Sequence, residues 1–210
     1  MVSRYQLLKG LSEIIPEDAL VIASIGNNSG FWGQIREKET DLLNISMGMC
    51  TPTALGLALA LPNRKVVALD ADGNLLLNLG SLGTVANENP QNLIIIVFDN
   101  GSYLGSIKNQ PGPPTATSGR LSLEAVAKGS GISSSSTVHN FEDFLNQVKQ
   151  ALSSSGLHFI VAKIGPLDFD APPRTKRVPD TKENKYRFAN YVQRTEGAKI
   201  LGSGLGKYNV

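Results

Sequence analysis

The chain has 210 residues, 41% hydrophobic and 18% charged, with a formal net charge of +2, which is enough for one domain with a proper core and too little for two large ones. That balance excludes a disordered chain and a strong nucleic-acid field. The single cysteine, Cys50, excludes an internal disulfide framework and any zinc or iron–sulfur site built from several thiolates, and it fits a reducing cytoplasm.

Residues 3–14 spread Arg4, Lys9 and Glu13 through apolar positions, as an amphipathic helix does and a secretory signal does not. "LVIASI" (20–25) reads as the first strand, with "GNNS" directly after it. Trp32 and the run Arg36 to Glu39 read as a surface or subunit contact. "CTPTALGLALAL" (about 50–61) predicts a helix, "KVVALD" (65–70) a strand, "NLGSLGTVANE" (about 78–88) a helix and "NLIIIVFD" (92–99) a strand. Residues 104–120, rich in Gly, Pro, Ser and Thr, form a loop of a length that is commonly functional.

Helices follow at about 122–129 and about 140–153; Asn140 is placed to cap the latter, with Asp143 near its N-terminal dipole. "HFIVAKI" (158–164) is the last strand. A Pro-rich charged connector (165–185) leads to a helix (about 186–196) that stops near Gly197 and is a candidate for packing on a partner. The division expected is a binding domain over 1–165 and a connector with helical tail over 166–210.

The four strand runs lack polar–apolar alternation, and strands apolar on both faces belong to a parallel sheet covered by helices. The expected fold is therefore a three-layer α/β sandwich whose ligands bind beyond the carboxyl ends of its strands. The longest apolar runs, "ALGLALAL" and "LIIIVF", are far too short to span a membrane.

Two of those strands stop at polar residues. Asp72 and Gly73 follow one and Asn100 follows the next, so neighbouring strands would bring a carboxylate and an amide oxygen to one point. The turn "GSY" adds a backbone carbonyl, and Gly73 lets backbone amides approach a phosphate without a side chain intervening. With phosphate oxygens and water, that set holds Mg²⁺, so a diphosphate with Mg²⁺ is the implied ligand. Either dipeptide alone is an ordinary turn; their joint spacing carries the reading.

A strand ending in Gly-Asp-Gly, then one helix later a hydrophobic strand ending in Asn-Asn, is the cofactor motif of thiamin-diphosphate enzymes, and "ADGN…FDNGSY" resembles it. The resemblance extends through "NISMGMCTPTALGLALALPNRKVVALDADGNLLLNLGSLGTVA" and "NQPGPPTATS", over about residues 1–165, to the sulfopyruvate decarboxylase β subunit and the C-terminal domain of phosphonopyruvate decarboxylase. It implies Asp72, Asn100 and the Ser102 carbonyl as Mg²⁺ ligands, with Gly26, Asn27, Gly73, Asn74 and Tyr103 around the diphosphate. It places Ser46 and Met47 beneath the bent cofactor and the Ile45 carbonyl at its amino group.

Asn109 and Gln110 match a segment near substrate. Ala71, Asp99 and Ile45 depart from the motif, Ile45 by adding bulk beside the pyrimidine. Cys50 lies close by as a buried structural thiol, while His139 and His158 stand at element boundaries. Lys108, Arg120 and Arg174 are the basic residues available for a sulfonate or phosphonate.

The family activates its cofactor with a glutamate from a pyrimidine-binding domain, and 210 residues leave no room for one. The resemblance therefore implies a subunit of a 2-oxo acid decarboxylase, a carboxy-lyase, that is active only with a separate α subunit, as α2β2 or larger, in the cytoplasm. Two alternatives stay open. One is a subunit of another thiamin-diphosphate enzyme: acetolactate synthase-like, a transketolase half, or a 2-oxoacid oxidoreductase β-like chain, the last disfavoured because a single cysteine cannot hold an electron-transfer cluster. The other is a non-catalytic regulatory homologue.

Overall fold

The computed structural model describes residues 2–103, 106–107, 110–166, 171 and 180–200. The elements in chain order are α1 (Arg4–Ile14), β1 (Leu20–Ser24), α2 (Asn27–Ile35), β2 (Asp41–Ile45), α3 (Cys50–Ala60), β3 (Val66–Ala71), α4 (Asp72–Leu76), α5 (Ser81–Glu88) and β4 (Leu93–Asp99). After them come the two-residue strands β5 (Ser106–Ile107) and β6 (Gln110–Pro111), a 3₁₀ turn at Ala116–Ser118, α6 (Leu123–Gly129), β7 (Ser135–Val138), α7 (Phe141–Ser153), β8 (His158–Lys163) and α8 (Thr181–Glu196).

Six strands form one sheet in the order β2-β1-β3-β4-β8-β7, and every neighbouring pair is parallel. Alternate residues of each strand enter opposite cores, because side chains alternate across a strand. Ile94, Ile96 and Phe98 of β4 join Leu7, Leu8 and Leu11 of α1, Trp32 of α2 and Phe144 of α7 on one face. Ile95 and Val97 join Ala54 of α3, Leu82 of α5, Ala127 of α6 and Phe188 of α8 on the other. The three-layer α/β sandwich is thus a consequence of the two-faced apolar strands, each large buried side chain adding about 1.5–3 kcal/mol.

Local signals set the helix ends. Ser3 and Gln6 cap α1 reciprocally, Asn140 Oδ1 accepts from Asp143 N at 2.9 Å, and Asp180 Oδ1 accepts from Lys182 N and Glu183 N. The Asp180 cap starts α8 at Thr181, earlier than the apolar spacing predicts. At its other end, Gly197 takes the left-handed conformation, φ +67°. The helix expected over 78–88 is preceded by a separate turn of helix at Asp72–Leu76 and begins at Ser81.

Two strands of the six-stranded sheet lie outside the four expected ones. The edge strand β7, "SSTV", is serine-rich, and β2, "DLLNI", carries Asp41 and Asn44, so neither shows an apolar run. Its partner covers β2: Asn184 of α8 accepts from Leu43 N at 2.6 Å and donates to the Asp41 carbonyl at 2.9 Å. The final helix therefore packs on this chain's own sheet.

Trp32 and Arg36 are corrected in the same way. Trp32 is fully buried, and Arg36 stacks over it, 5.7 Å from the ring centroid, while pairing with buried Asp41 at 2.9 Å. Burial pushes the Asp41 carboxyl up and the Arg36 guanidinium down, each held back by the other's charge. Glu37 and Glu39 reach across to Arg187 and Arg194 of α8. The run is therefore buried at Arg36, while Glu37 and Glu39 pair with this chain's own α8 at the surface.

Candidate functional site

Parallel strands put all their carboxyl ends on one side, and the ends of β1, β3 and β4 are neighbours. Between them opens a pocket of about 300 Å³. Its walls are Ile25, Gly26 and Asn27 after β1, Ala71 to Asn74 after β3, and Asn100, Ser102 and Tyr103 after β4, with Met47 and Arg4 at the sides.

Asp72 sits at the end of β3 with 1% exposure. Its Oδ2 accepts from Thr115 Oγ1 at 2.6 Å and Thr117 Oγ1 at 3.2 Å, whereas its Oδ1 is buried with no hydrogen-bond partner. Burial pushes this carboxyl up, the Thr115 hydroxyl pulls it back, and the Asp99 charge pushes it up again. A cation facing Oδ1 would reverse that preference. Two residues on, Asn74 Oδ1 is likewise buried without a partner.

Asn100 Oδ1 accepts weakly from Ser102 N at 3.3 Å, and the Ser102 hydroxyl donates to the Tyr103 carbonyl at 3.1 Å. Gly73 is required by its surroundings, since a Cβ there would lie 2.7 Å from Tyr103 Cδ1. Gly26 has φ +98° and opens α2 with no side-chain cap, leaving first-turn N–H groups of the kind that bind anions. Beneath it, Asn28 donates to Ser24 Oγ and the Leu69 and Asp70 carbonyls and accepts from Arg4 Nη1 at 2.8 Å. That network ties the start of α2 to β3.

Met47 is 46% exposed at the pocket side. Ile45 and Ser46 stand next to it without lining the pocket; the Ile45 carbonyl accepts from Ile25 N at 2.8 Å and the Ser46 carbonyl from Met49 N. Gln110 is exposed in β6, while Asn109, Lys108 and Arg174 lie outside the described residues. Arg120 and His139 are exposed. His158 is held between Ser134 and Ser154 at the amino end of β8, away from the pocket. Cys50 is fully buried, its thiol 3.3 Å from the Ile22 carbonyl, and burial pushes its pKa up.

Sequence reasoning missed Thr115, Thr117 and Arg4. The threonines were visible as "TAT" in the loop after Asn100, two hydroxyls spaced to share one partner. In the sequence Arg4 is only a polar position of an amphipathic helix, yet it is 5% exposed and lies 5.9 Å from the Phe98 ring centroid.

Two buried oxygens lacking partners, a glycine held against an aromatic ring and an uncapped helix start together suit a magnesium–diphosphate group. Residues 24–162 match the family described as thiamine pyrophosphate enzyme, C-terminal TPP binding domain.

The chain belongs to this family.

The chain is 37% identical over 194 residues to the sulfopyruvate decarboxylase subunit beta of Methanococcus maripaludis, covering 92% of this chain and 99% of the relative. It is 32% identical to the same subunit of Methanocaldococcus jannaschii, covering 91% and 98%. With the phosphonopyruvate decarboxylase of Streptomyces viridochromogenes, identity is 29% over 88% of this chain and 45% of that protein. Among solved structures, benzoylformate decarboxylase from Polynucleobacter necessarius superposes with a TM-score of 0.65 at 22% identity, covering 79% of this chain and 33% of that one. The fold is that of the thiamin-diphosphate enzymes, of which this chain spans about one third in the solved case and nearly all in the β subunits. Among the described residues no helix is long and apolar enough to cross a membrane.

Proposed function

We propose that this chain is the diphosphate-binding subunit of a sulfopyruvate decarboxylase, completed by a separate pyrimidine-binding subunit. The observation that carries the reading is the pair of partnerless buried oxygens, Asp72 Oδ1 and Asn74 Oδ1, beside Asn100 in one pocket. End-to-end similarity to chains named as β subunits supports the partner, and so do Ile25, Met47, Met49 and Leu77, all 46–58% exposed. Ile25 and Met47 line the pocket itself, and apolar side chains so exposed await a covering surface.

Asp72, Asn100 and the Ser102 carbonyl hold the Mg²⁺, and Gly26, Asn27, Gly73 and the N–H groups of Asn74 receive the diphosphate. Met47 supports the ring end, and the second lone pair of the Ile45 carbonyl remains for the amino group. When bound, thiamin diphosphate supplies the electron sink for decarboxylation of a 2-oxo acid. This chain's part is to anchor, orient and neutralise; the activating glutamate comes from the partner. Arg4 is the basic side chain in the pocket wall among the described residues, and the remaining substrate contacts belong to the shared face, with Asn109 and Gln110 as candidate substrate residues. An α2β2 assembly in the cytoplasm completes the proposal.

Co-expression with a candidate pyrimidine-binding subunit, followed by CO₂ release from sulfopyruvate, phosphonopyruvate, pyruvate and benzoylformate, tests it. Turnover of sulfopyruvate by the pair and none by the isolated chain is expected. A monomeric chain that is active alone, or a complex inert on all four acids, overturns the reading.

A further inference from the structure

We propose that Thr115 and Thr117 are positioning residues for the metal-binding carboxylate of Asp72, fixing one oxygen so that the other is presented to the cation. The inference rests on the reading of Asp72 as a metal ligand and adds a role for a loop that the motif does not contain.

A carboxylate on a short side chain turns freely about its last bond unless neighbours hold it. At Asp72 the holders are both on Oδ2: Thr115 Oγ1 at 2.6 Å and Thr117 Oγ1 at 3.2 Å. The two hydroxyl oxygens are 2.8 Å from each other, and Thr117 Oγ1 is 2.7 Å from Asp99 Oδ1. Two hydroxyl protons cannot fill all four of these contacts at once: Thr115 donates to Asp72 Oδ2, its short contact, and Thr117 shares its one proton between Asp99 Oδ1 and Asp72 Oδ2, so a change at one threonine alters what the other can donate and the group acts as a unit. Asp99 is neutralised from its far side by Lys163 Nζ, 2.5 Å from Oδ2, its register partner on the adjacent strand. Asp72 is left as the carboxylate facing the pocket.

The threonines are themselves held. Thr115 N donates to the Gly101 carbonyl at 3.0 Å and Tyr103 N to the Pro113 carbonyl at 2.8 Å, which sews the returning loop to the turn that carries Asn100 and Ser102. Both hydroxyls are buried, at 4% and 6% residue exposure. One stretch of loop therefore sets the orientation of one metal ligand and braces the turn bearing the others. Outer-sphere groups of this kind shift metal affinity by about 10–100-fold when removed.

The test is Mn²⁺ binding by the full chain, read from the EPR signal of free Mn²⁺ with inorganic pyrophosphate as the anion, which needs no ring contacts from a partner. Thr115→Val and Thr117→Val each weaken Mn²⁺ by about 10-fold, their losses are less than additive in the double variant, and Thr117→Ser returns to within about 2-fold of wild type. Circular dichroism of the metal-free variants controls for folding; should Thr115→Val not fold, Thr117→Val, which leaves the 2.6 Å donor in place, decides alone. A wild-type chain that takes up no Mn²⁺ overturns the metal-site reading itself. A wild-type chain that binds, with Thr117→Val equal to it or Thr117→Ser failing to rescue, overturns only the positioning role.

Discussion

Asn184→Ala isolates what α8 does for the sheet. The side chain is 3% exposed and spends both ends on the backbone of β2, accepting from Leu43 N at 2.6 Å and donating to the Asp41 carbonyl at 2.9 Å. Alanine leaves a buried N–H and a buried C=O unpaired, each costing about 1–3 kcal/mol. Since β2 is an edge strand and water gains some access, a total of about 3 kcal/mol is expected, or roughly 6–12 °C in Tm for a chain of this size. Urea and thermal unfolding of the full chain by far-UV circular dichroism measure it. Arg194→Ala is the contrast, because its ion pair with Glu39 is exposed on both sides and is worth under about 1 kcal/mol. A loss below about 1 kcal/mol for Asn184→Ala, or one no larger than for Arg194→Ala, would refute the argument that this amide, and not surface charge, fastens the helix.

Three further outcomes follow from the buried groups. Asp70 is 1% exposed, and burial raises its carboxyl to about 6 although Thr51 and Ala71 N hydrogen-bond it. A raised acid keeps its proton in the folded state, so it weakens the fold as pH climbs from about 4 to 6; Asp70→Asn should gain roughly 1–3 kcal/mol at pH 8 and nothing at pH 4, and equal effects at both would contradict this. Gly73→Ala pushes a methyl to 2.7 Å from the Tyr103 ring, costing about 1–3 kcal/mol in urea unfolding; the cost should largely vanish beside Tyr103→Ala, and strict additivity would show that the ring is not the obstacle. Asp72→Asn removes a buried carboxyl that burial and Asp99 both disfavour, so the metal-free chain should melt higher at pH 8 while chelation by EDTA, with Mg²⁺ and thiamin diphosphate present, ceases to lower Tm.

The strands legible in the sequence were those apolar on both faces, because burial from two sides leaves an unbroken hydrophobic run. The edges were not legible: β7 is written in serine, and β2 is made a strand by Asn184, which lies far along the chain. Charge misled at Arg36, where a run that reads as a surface or subunit contact is partly buried against Trp32 and partly spent on α8. The motif residues Asp72, Gly73, Asn74, Asn100 and Ser102 do line one pocket. What holds Asp72 comes from a loop that carries no periodic pattern, and such contacts exist only once the chain has folded back on itself.

Cys50 has a practical consequence. It is the single cysteine of the chain, wholly enclosed, with its thiol aimed at the Ile22 carbonyl and held protonated by burial. Thiolates are the reactive form, so the folded protein is expected to resist maleimides. A fluorophore placed at Leu77→Cys, 58% exposed beside Gly48, would mark one site per molecule without prior removal of a native thiol, and its emission would report in real time when another polypeptide covers that apolar patch.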